Sequence, residues 1–181
     1  MAHSKLALLL VLPALGACAS SSSGRGPAPA PRRAAAPDAA VEQGVTLYQQ
    51  GQYEEAAATL APASGIRGLA YLAASRVRLG QYAEAEAPAL QALQASPADP
   101  VASAALGEAL VSQGKLDEAI QRLTTVLRAD PSLPYAHYWR GQAYHRNTQI
   151  ARMVGDYEAF LRLAPDAPEA PALRALLGSL R

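Results

Sequence analysis

Apolar positions along this 181-residue chain recur at helical spacing, and a short interruption containing glycine breaks the pattern at a regular interval. Between Val101 and Pro131, Leu106 and Leu110 precede Gly114, and Leu116, Ala119 and Leu123 follow it. Two amphipathic helices joined by a turn are predicted there. Three stretches share the interruption: Gly51-Gln52-Tyr53-Glu54-Glu55-Ala56, Gly80-Gln81-Tyr82-Ala83-Glu84-Ala85 and Gly114-Lys115-Leu116-Asp117-Glu118-Ala119. Each reads glycine, polar, large apolar, two mostly acidic residues, alanine. Gly80 and Gly114 lie 34 residues apart, Pro97, Pro131 and Pro165 step by 34, and so do Gly107 and Gly141. A fixed period of this length predicts stacked helical hairpins. Near the C-terminus Leu173, Leu176, Leu177 and Leu180 fall at i, i+3, i+4 and i+7. They form one apolar stripe on a final helix that covers the end of the stack.

Individual residues explain the period. Gly107 and Gly141 fall mid-helix, where glycine costs about 1 kcal/mol relative to alanine. Close approach of a neighbouring helix is expected to compensate, with Ala56, Ala85 and Ala119 doing the same from the second helices. Gly51, Gly80 and Gly114 allow the turns. Asp99-Pro100 supplies an N-cap and a first-turn proline. The spacing from Gly51 to Gly80 is only 29 residues, so the first hairpin should have a shortened second helix near Pro62. Pro88 falls inside a predicted helix and predicts a kink.

The N-terminus follows a different pattern. Met1 to Lys5 carries a positive charge, Leu6 to Leu12 is apolar, and Pro13 and Gly16 interrupt the run. A bilayer span needs roughly 20 apolar residues, so the layout is that of an export signal over residues 1–17. Leu15-Gly16-Ala17-Cys18 resembles the lipobox of bacterial lipoproteins. The resemblance implies that Cys18, the chain's one cysteine, becomes the acylated first residue of the mature protein. In a bacterium with two membranes, Ala19 in place of aspartate implies an outer-membrane lipoprotein facing the periplasm. The alternative is ordinary cleavage at Ala17-Cys18-Ala19, which releases a soluble periplasmic or secreted module. Residues 18–37 are, after Cys18, Ser, Gly, Pro and Ala with Arg25, Arg32 and Arg33. Without a periodic apolar face they are expected to form a disordered tether.

The glycine, alanine and proline positions over residues 38–181 make the chain resemble tetratricopeptide repeat (TPR) proteins. The resemblance implies an all-α, right-handed superhelix of helix-turn-helix hairpins. It comprises about four repeats, at residues 38–64, 65–97, 98–131 and 132–165, plus a C-terminal capping helix over 166–181. Leu106, Gly107, Leu110, Gly114, Leu116, Ala119, Leu123 and Pro131 occupy family positions, as do Leu72, Ala73, Gly80, Tyr82, Ala85, Ala92 and Pro97. The fourth unit departs, with Thr148, Ile150 and Met153 where Gly, Tyr and Ala are usual.

In this family the first helix of each hairpin lines a concave groove that binds peptides or protein segments. The pattern places Tyr48, Arg67, Tyr71, Arg78, Glu108, Tyr135, Tyr138, Trp139, Gln142, His145 and Arg146 there. The last six share one helical face, and a face of Tyr, Trp, His and Arg has the composition of a binding hot spot. Packing of the same aromatic stripe as core, against the capping helix, is the alternative; the family pattern also wants apolar residues where His137 and Arg140 sit, which a rotated helix would explain. The paired Lys and Asn of TPR domains that clamp chaperone C-termini are missing; the chain's one asparagine is Asn147.

Charge and chemistry narrow the functional classes. Lys and Arg total 16 and Asp and Glu 15, which argues against a nucleic-acid partner. No phosphate-binding glycine loop, nucleophile elbow or zinc-ligand spacing appears. Neither catalysis, cofactor nor metal is expected. The expected role is that of a lipid-anchored adaptor that recruits another envelope protein.

Overall fold

Each of the three long second helices ends two residues before a proline. Ser96, Asp130 and Ala164 leave the helical region at ψ 90°, 105° and 66°, because the ring of Pro97, Pro131 or Pro165 disfavours helical backbone in the residue before it. The computed structural model describes residues 37–180. The export signal, Cys18 and the segment leading to the first helix lie outside the described residues. Among those described, the elements are nine helices and no strand. They are α1 (Pro37–Gln49), α2 (Tyr53–Leu60), α3 (Ile66–Arg78), α4 (Tyr82–Ala95), α5 (Pro100–Ser112), α6 (Leu116–Ala129), α7 (Pro134–Arg146), α8 (Ile150–Leu163) and α9 (Ala170–Ser179). The second helix of the first hairpin has 8 residues against 14 in the other three, as the short first spacing requires. No helix of the described residues is long and apolar enough to cross a membrane.

Consecutive helices pair as α1–α2, α3–α4, α5–α6 and α7–α8. The first helices also touch one another in series, α1 on α3, α3 on α5 and α5 on α7. Among the described residues the backbones of successive second helices stay more than 8 Å apart, Cα to Cα, although Leu93 of α4 packs against the cluster that holds Leu123 and Val126 of α6. The hairpins therefore converge on the side of their first helices and splay on the other, giving an open curved stack. Helix α5 touches α3, α4, α6 and α7, and Ala102, Ala105, Leu106, Ala109, Leu110 and Val111 are buried around it. A helix enclosed on most sides is apolar on most sides. Its start is fixed by Asp99, whose side chain accepts the Ala102 N–H at 2.8 Å, a cap worth about 1 kcal/mol.

The four turns within hairpins share one geometry. Gly51, Gly80 and Gly114 have φ of 78°, 73° and 77°, and Thr148 takes the equivalent place at φ 56°. In each, the next residue returns its N–H to the carbonyl five residues back: Gln52 to Leu47, Gln81 to Arg76, Lys115 to Leu110 and Gln149 to Tyr144, at 2.9–3.0 Å. This closes the helix end by satisfying an otherwise orphaned carbonyl. The divergent fourth unit thus keeps the turn of the other three, with a β-branched residue in the left-handed region.

The mid-helix glycines are sites of close approach. A Cβ at Gly107 would lie 2.7 Å from Trp139 Cβ, and one at Gly141 would lie 2.6 Å from the Tyr157 ring. Ala56, Ala85 and Ala119 are fully buried, and Met153 is fully buried at the corresponding place in the fourth hairpin. Pro88 does not end α4. It has no N–H for the Glu84 carbonyl, and Arg76 of α3 donates to that carbonyl instead at 2.6 Å. Helix α9 packs on α8 through Leu173 and Leu177, which are buried, and Leu176, which is half-buried. Leu180 departs from the expected stripe: it lies at the helix C-cap and is 49% exposed.

Candidate functional site

A groove of about 310 Å³ opens on the converging side of the stack. Its walls come from first helices alone: Tyr48 of α1, Tyr71, Ala74, Val77 and Arg78 of α3, Val101, Ala104, Ala105 and Glu108 of α5, and Tyr135 of α7. The small residues of α3 and α5 make its floor, and the tyrosines stand at its two ends. The Tyr48 ring lies 5.3 Å from Tyr71 edge-on and 5.5 Å from Tyr53. Tyr135 lies 6.1 Å from Tyr138 and 5.6 Å from Phe160, both edge-on. Such packed rings hold a large contact area in one orientation at low entropic cost.

The groove carries both signs of charge. The Arg78 guanidinium sits 5.7 Å from the centroid of the Tyr53 ring and is hydrogen-bonded to Tyr53, which, with attraction from nearby Glu108, strengthens its hold on its proton. Glu108 is half-buried on the α5 wall. Burial pushes its carboxyl above the usual range, Arg78 pulls it back, and the like charge of Glu169 pushes it up again. Glu169 directly precedes α9 and accepts the Tyr135 hydroxyl at 3.2 Å. Burial also pushes the Tyr48, Tyr135 and Tyr138 hydroxyls up, so these phenols stay neutral in the physiological range.

The structure brings Tyr48, Tyr71, Arg78, Glu108 and Tyr135 together. Arg67 does not line the groove; it pairs with Glu42, both more than half exposed. The stripe on α7 divides between two neighbours. Tyr135 faces the groove, and Tyr138 packs behind it against Phe160 while its hydroxyl accepts from Gln142 at 3.1 Å. Trp139 meets the Tyr138 ring edge-on at 4.9 Å, lies over Gly107, and packs with Leu123 and Leu106 in the seam between hairpins. Arg146 also faces α5 and donates to the Val111 carbonyl. His145 is exposed at the end of the helix. Neither His145 nor Arg146 lines the groove.

The residues that break the apolar pattern of α7 find their partner on α8. Arg140 donates Nε to Asp156 Oδ2 at 2.8 Å and Nη2 to Oδ1 at 2.7 Å, and a third donation reaches Thr124 Oγ1 at 3.1 Å. His137 Nδ1 lies 2.8 Å from Asp156 Oδ1, and its Nε2 lies 3.0 Å from the Pro131 carbonyl. Asp156 is 4% exposed. Burial opposes its ionisation, but the hydrogen bonds from Arg140 and His137 outweigh that and hold its carboxyl below the usual range. Helix α7 therefore keeps its orientation by burying a forked ion pair in place of a leucine. The signal in the sequence was Asp156 itself, one carboxylate in the apolar stripe Met153, Tyr157, Phe160. Among the described residues no three His, Cys, Asp or Glu gather as a metal site.

Comparison with known proteins agrees with this geometry. A family model of the TPR repeat matches residues 107–147. Among solved structures, the chain is similar to TTC0263, a thermophilic TPR protein in Thermus thermophilus. The TM-score is 0.67 and the identity 23%, over 79% of this chain and 84% of that one. It is also similar to YrrB, described as a TPR protein with an unusual peptide-binding site, with TM-score 0.63 and 22% identity over 77% and 75%. MamA from Desulfovibrio magneticus RS-1 matches with TM-score 0.60 and 19% identity over 78% and 85%. No curated protein matches the sequence. The fold is the all-α, right-handed superhelix of TPR proteins.

Proposed function

We propose that this chain is a lipid-anchored adaptor. It holds another cell-envelope protein, or a peptide segment of one, in the groove lined by its first helices, and so positions that partner for assembly of an envelope complex. The observation that carries the binding role is that every wall of the groove belongs to a first helix, with tyrosines at both ends and small residues along the floor. A concave surface of this kind accepts an extended segment over several hairpins at once. A TPR fold supports a peptide or protein ligand, and peptide binding is stated for YrrB. No catalytic step is assigned to the chain.

Anchoring is proposed through Cys18, in the segment Leu15-Gly16-Ala17-Cys18, with outer-membrane attachment facing the periplasm. Two acyl chains suffice for stable retention, at about 0.8 kcal/mol per buried methylene. Acyl labelling of cells that express the wild type and Cys18→Ser tests this. Label in the wild type alone, with the variant left as precursor or soluble protein, is expected. Ala17-Cys18-Ala19 supports the second reading, a soluble periplasmic or secreted binding module. A mature chain that starts at Ser20 with no added mass would favour it.

A further inference from the structure

We propose that the groove selects a basic segment: a lysine or arginine side chain of the bound peptide lodges beside Glu108 and Glu169, against the ring of Tyr135. This rests on the groove being the peptide site and adds the chemistry of its ligand.

The central observation is a carboxylate without a donor. Glu108 is half-buried in the groove wall, and among the described residues no protein group donates a hydrogen bond to it, Arg78 acting on it through charge alone. The groove's own cation, Arg78, is held over the Tyr53 ring instead. A half-buried carboxylate left this way is costly, and a ligand ammonium or guanidinium would satisfy it with charge-assisted hydrogen bonds. Glu169 adds a second carboxylate near enough to disturb Glu108, and Tyr135 holds it in place at 3.2 Å. Neutralising both acids with one cation removes their mutual repulsion. The ring of Tyr135, in the groove wall, adds a surface that attracts a cation. The charge of the chain agrees: all 15 Asp and Glu lie at or beyond Asp38, against 12 of the 16 Lys and Arg, so a basic partner is steered toward this part of the molecule. The polarity is opposite to that of a clamp for an acidic C-terminus.

The test uses the full-length chain and three fluorescent peptides of equal length on one alanine-glycine-proline background. They carry lysine, glutamine or glutamate at the same positions, and binding is read by anisotropy. The lysine peptide should bind about tenfold more tightly than the glutamine peptide, the size of one hydrogen bond to a charged group. Glu108→Gln should abolish most of that preference with helicity unchanged. Glu55→Gln, an exposed change on α2 outside the groove, should leave it intact. Equal or tighter binding of the glutamate peptide, or a lysine preference that survives Glu108→Gln, would overturn the proposal. Binding of all three peptides alike, lost in Tyr48→Ala/Tyr71→Ala, would retain the groove and refute the basic selectivity. Binding by none of the three, or binding indifferent to those tyrosines, would refute both.

Discussion

Trp139 closes over Gly107. A Cβ at Gly107 would meet Trp139 Cβ at 2.7 Å, Trp139 Cγ at 3.0 Å and Leu123 Cδ1 at 3.2 Å. Helices α5 and α7 pack this closely only because one of them lacks a side chain there. Gly107→Ala gains up to about 1 kcal/mol of helix propensity, yet the atoms it meets near the Trp139 backbone cannot swing away. A net loss of about 1–2 kcal/mol is expected from overpacking. Trp139→Ala should cost about 3 kcal/mol. Trp139→Ala removes the Cγ contact at 3.0 Å but keeps the Cβ contact at 2.7 Å, so the double variant should lose only slightly less than the two losses added. Denaturant unfolding of the four proteins measures this coupling.

Thr148 occupies a turn position that glycine fills in the other three hairpins, at φ 56°. Left-handed backbone costs a non-glycine residue about 1–2 kcal/mol. Thr148→Gly should therefore stabilise the chain by about 1 kcal/mol, and Gly114→Thr should destabilise it by a similar amount. Thermal unfolding gives both signs in one series.

Asp156 is held ionised by Arg140 and His137 although it is buried. Its folded-state pKa lies below its unfolded value, so its stabilisation is fully present above the unfolded pKa of about 4. It is lost as pH falls through the folded value. The melting temperature should fall through that acid window in the wild type. Asp156→Asn should remove this component and cost about 3 kcal/mol at neutral pH by leaving Arg140 without its counter-charge. A pH series of melting curves on both proteins checks the sign and the window.

Glu108 behaves in the opposite sense. Its folded-state pKa is raised, so its ionisation opposes folding, and stability declines as pH rises from the unfolded value through the folded one. Glu108→Gln should raise the melting temperature of the unliganded protein at pH 7. Solvent screening at this half-exposed site limits the gain to less than about 1 kcal/mol. Melting at pH 4 and pH 7 should show the difference between the variants shrinking at the lower pH. A residue that weakens the empty protein and aids ligand capture is a mark of a binding site.

The hairpins were legible because glycine and proline act on the backbone within a few residues. Gly51, Gly80 and Gly114 mark turns whatever lies around them, and Pro97, Pro131 and Pro165 stop helices by a local clash. The turn at Thr148 was less legible, because there the geometry is imposed by the packing of α7 on α8 and not by the residue. The α7 stripe was legible as a face but not as two surfaces. Whether Tyr135 or Trp139 meets the groove depends on how α7 crosses α5, and residues from Tyr135 to Arg146 carry no record of that crossing. The Arg140–Asp156 pair was hidden for the same reason: it joins positions 16 residues apart on different helices, while each residue alone breaks its own helix pattern.

The groove as the binding surface is tested most directly by photocrosslinking in intact cells from a single position. A photoreactive phenylalanine at Tyr71, in the groove wall, should give a discrete adduct with a partner. The same probe at Arg128, exposed on α6 of the splayed face, should give none, and Tyr48→Ala should weaken the Tyr71 adduct. Adducts from Arg128 but not from Tyr71 would contradict the account.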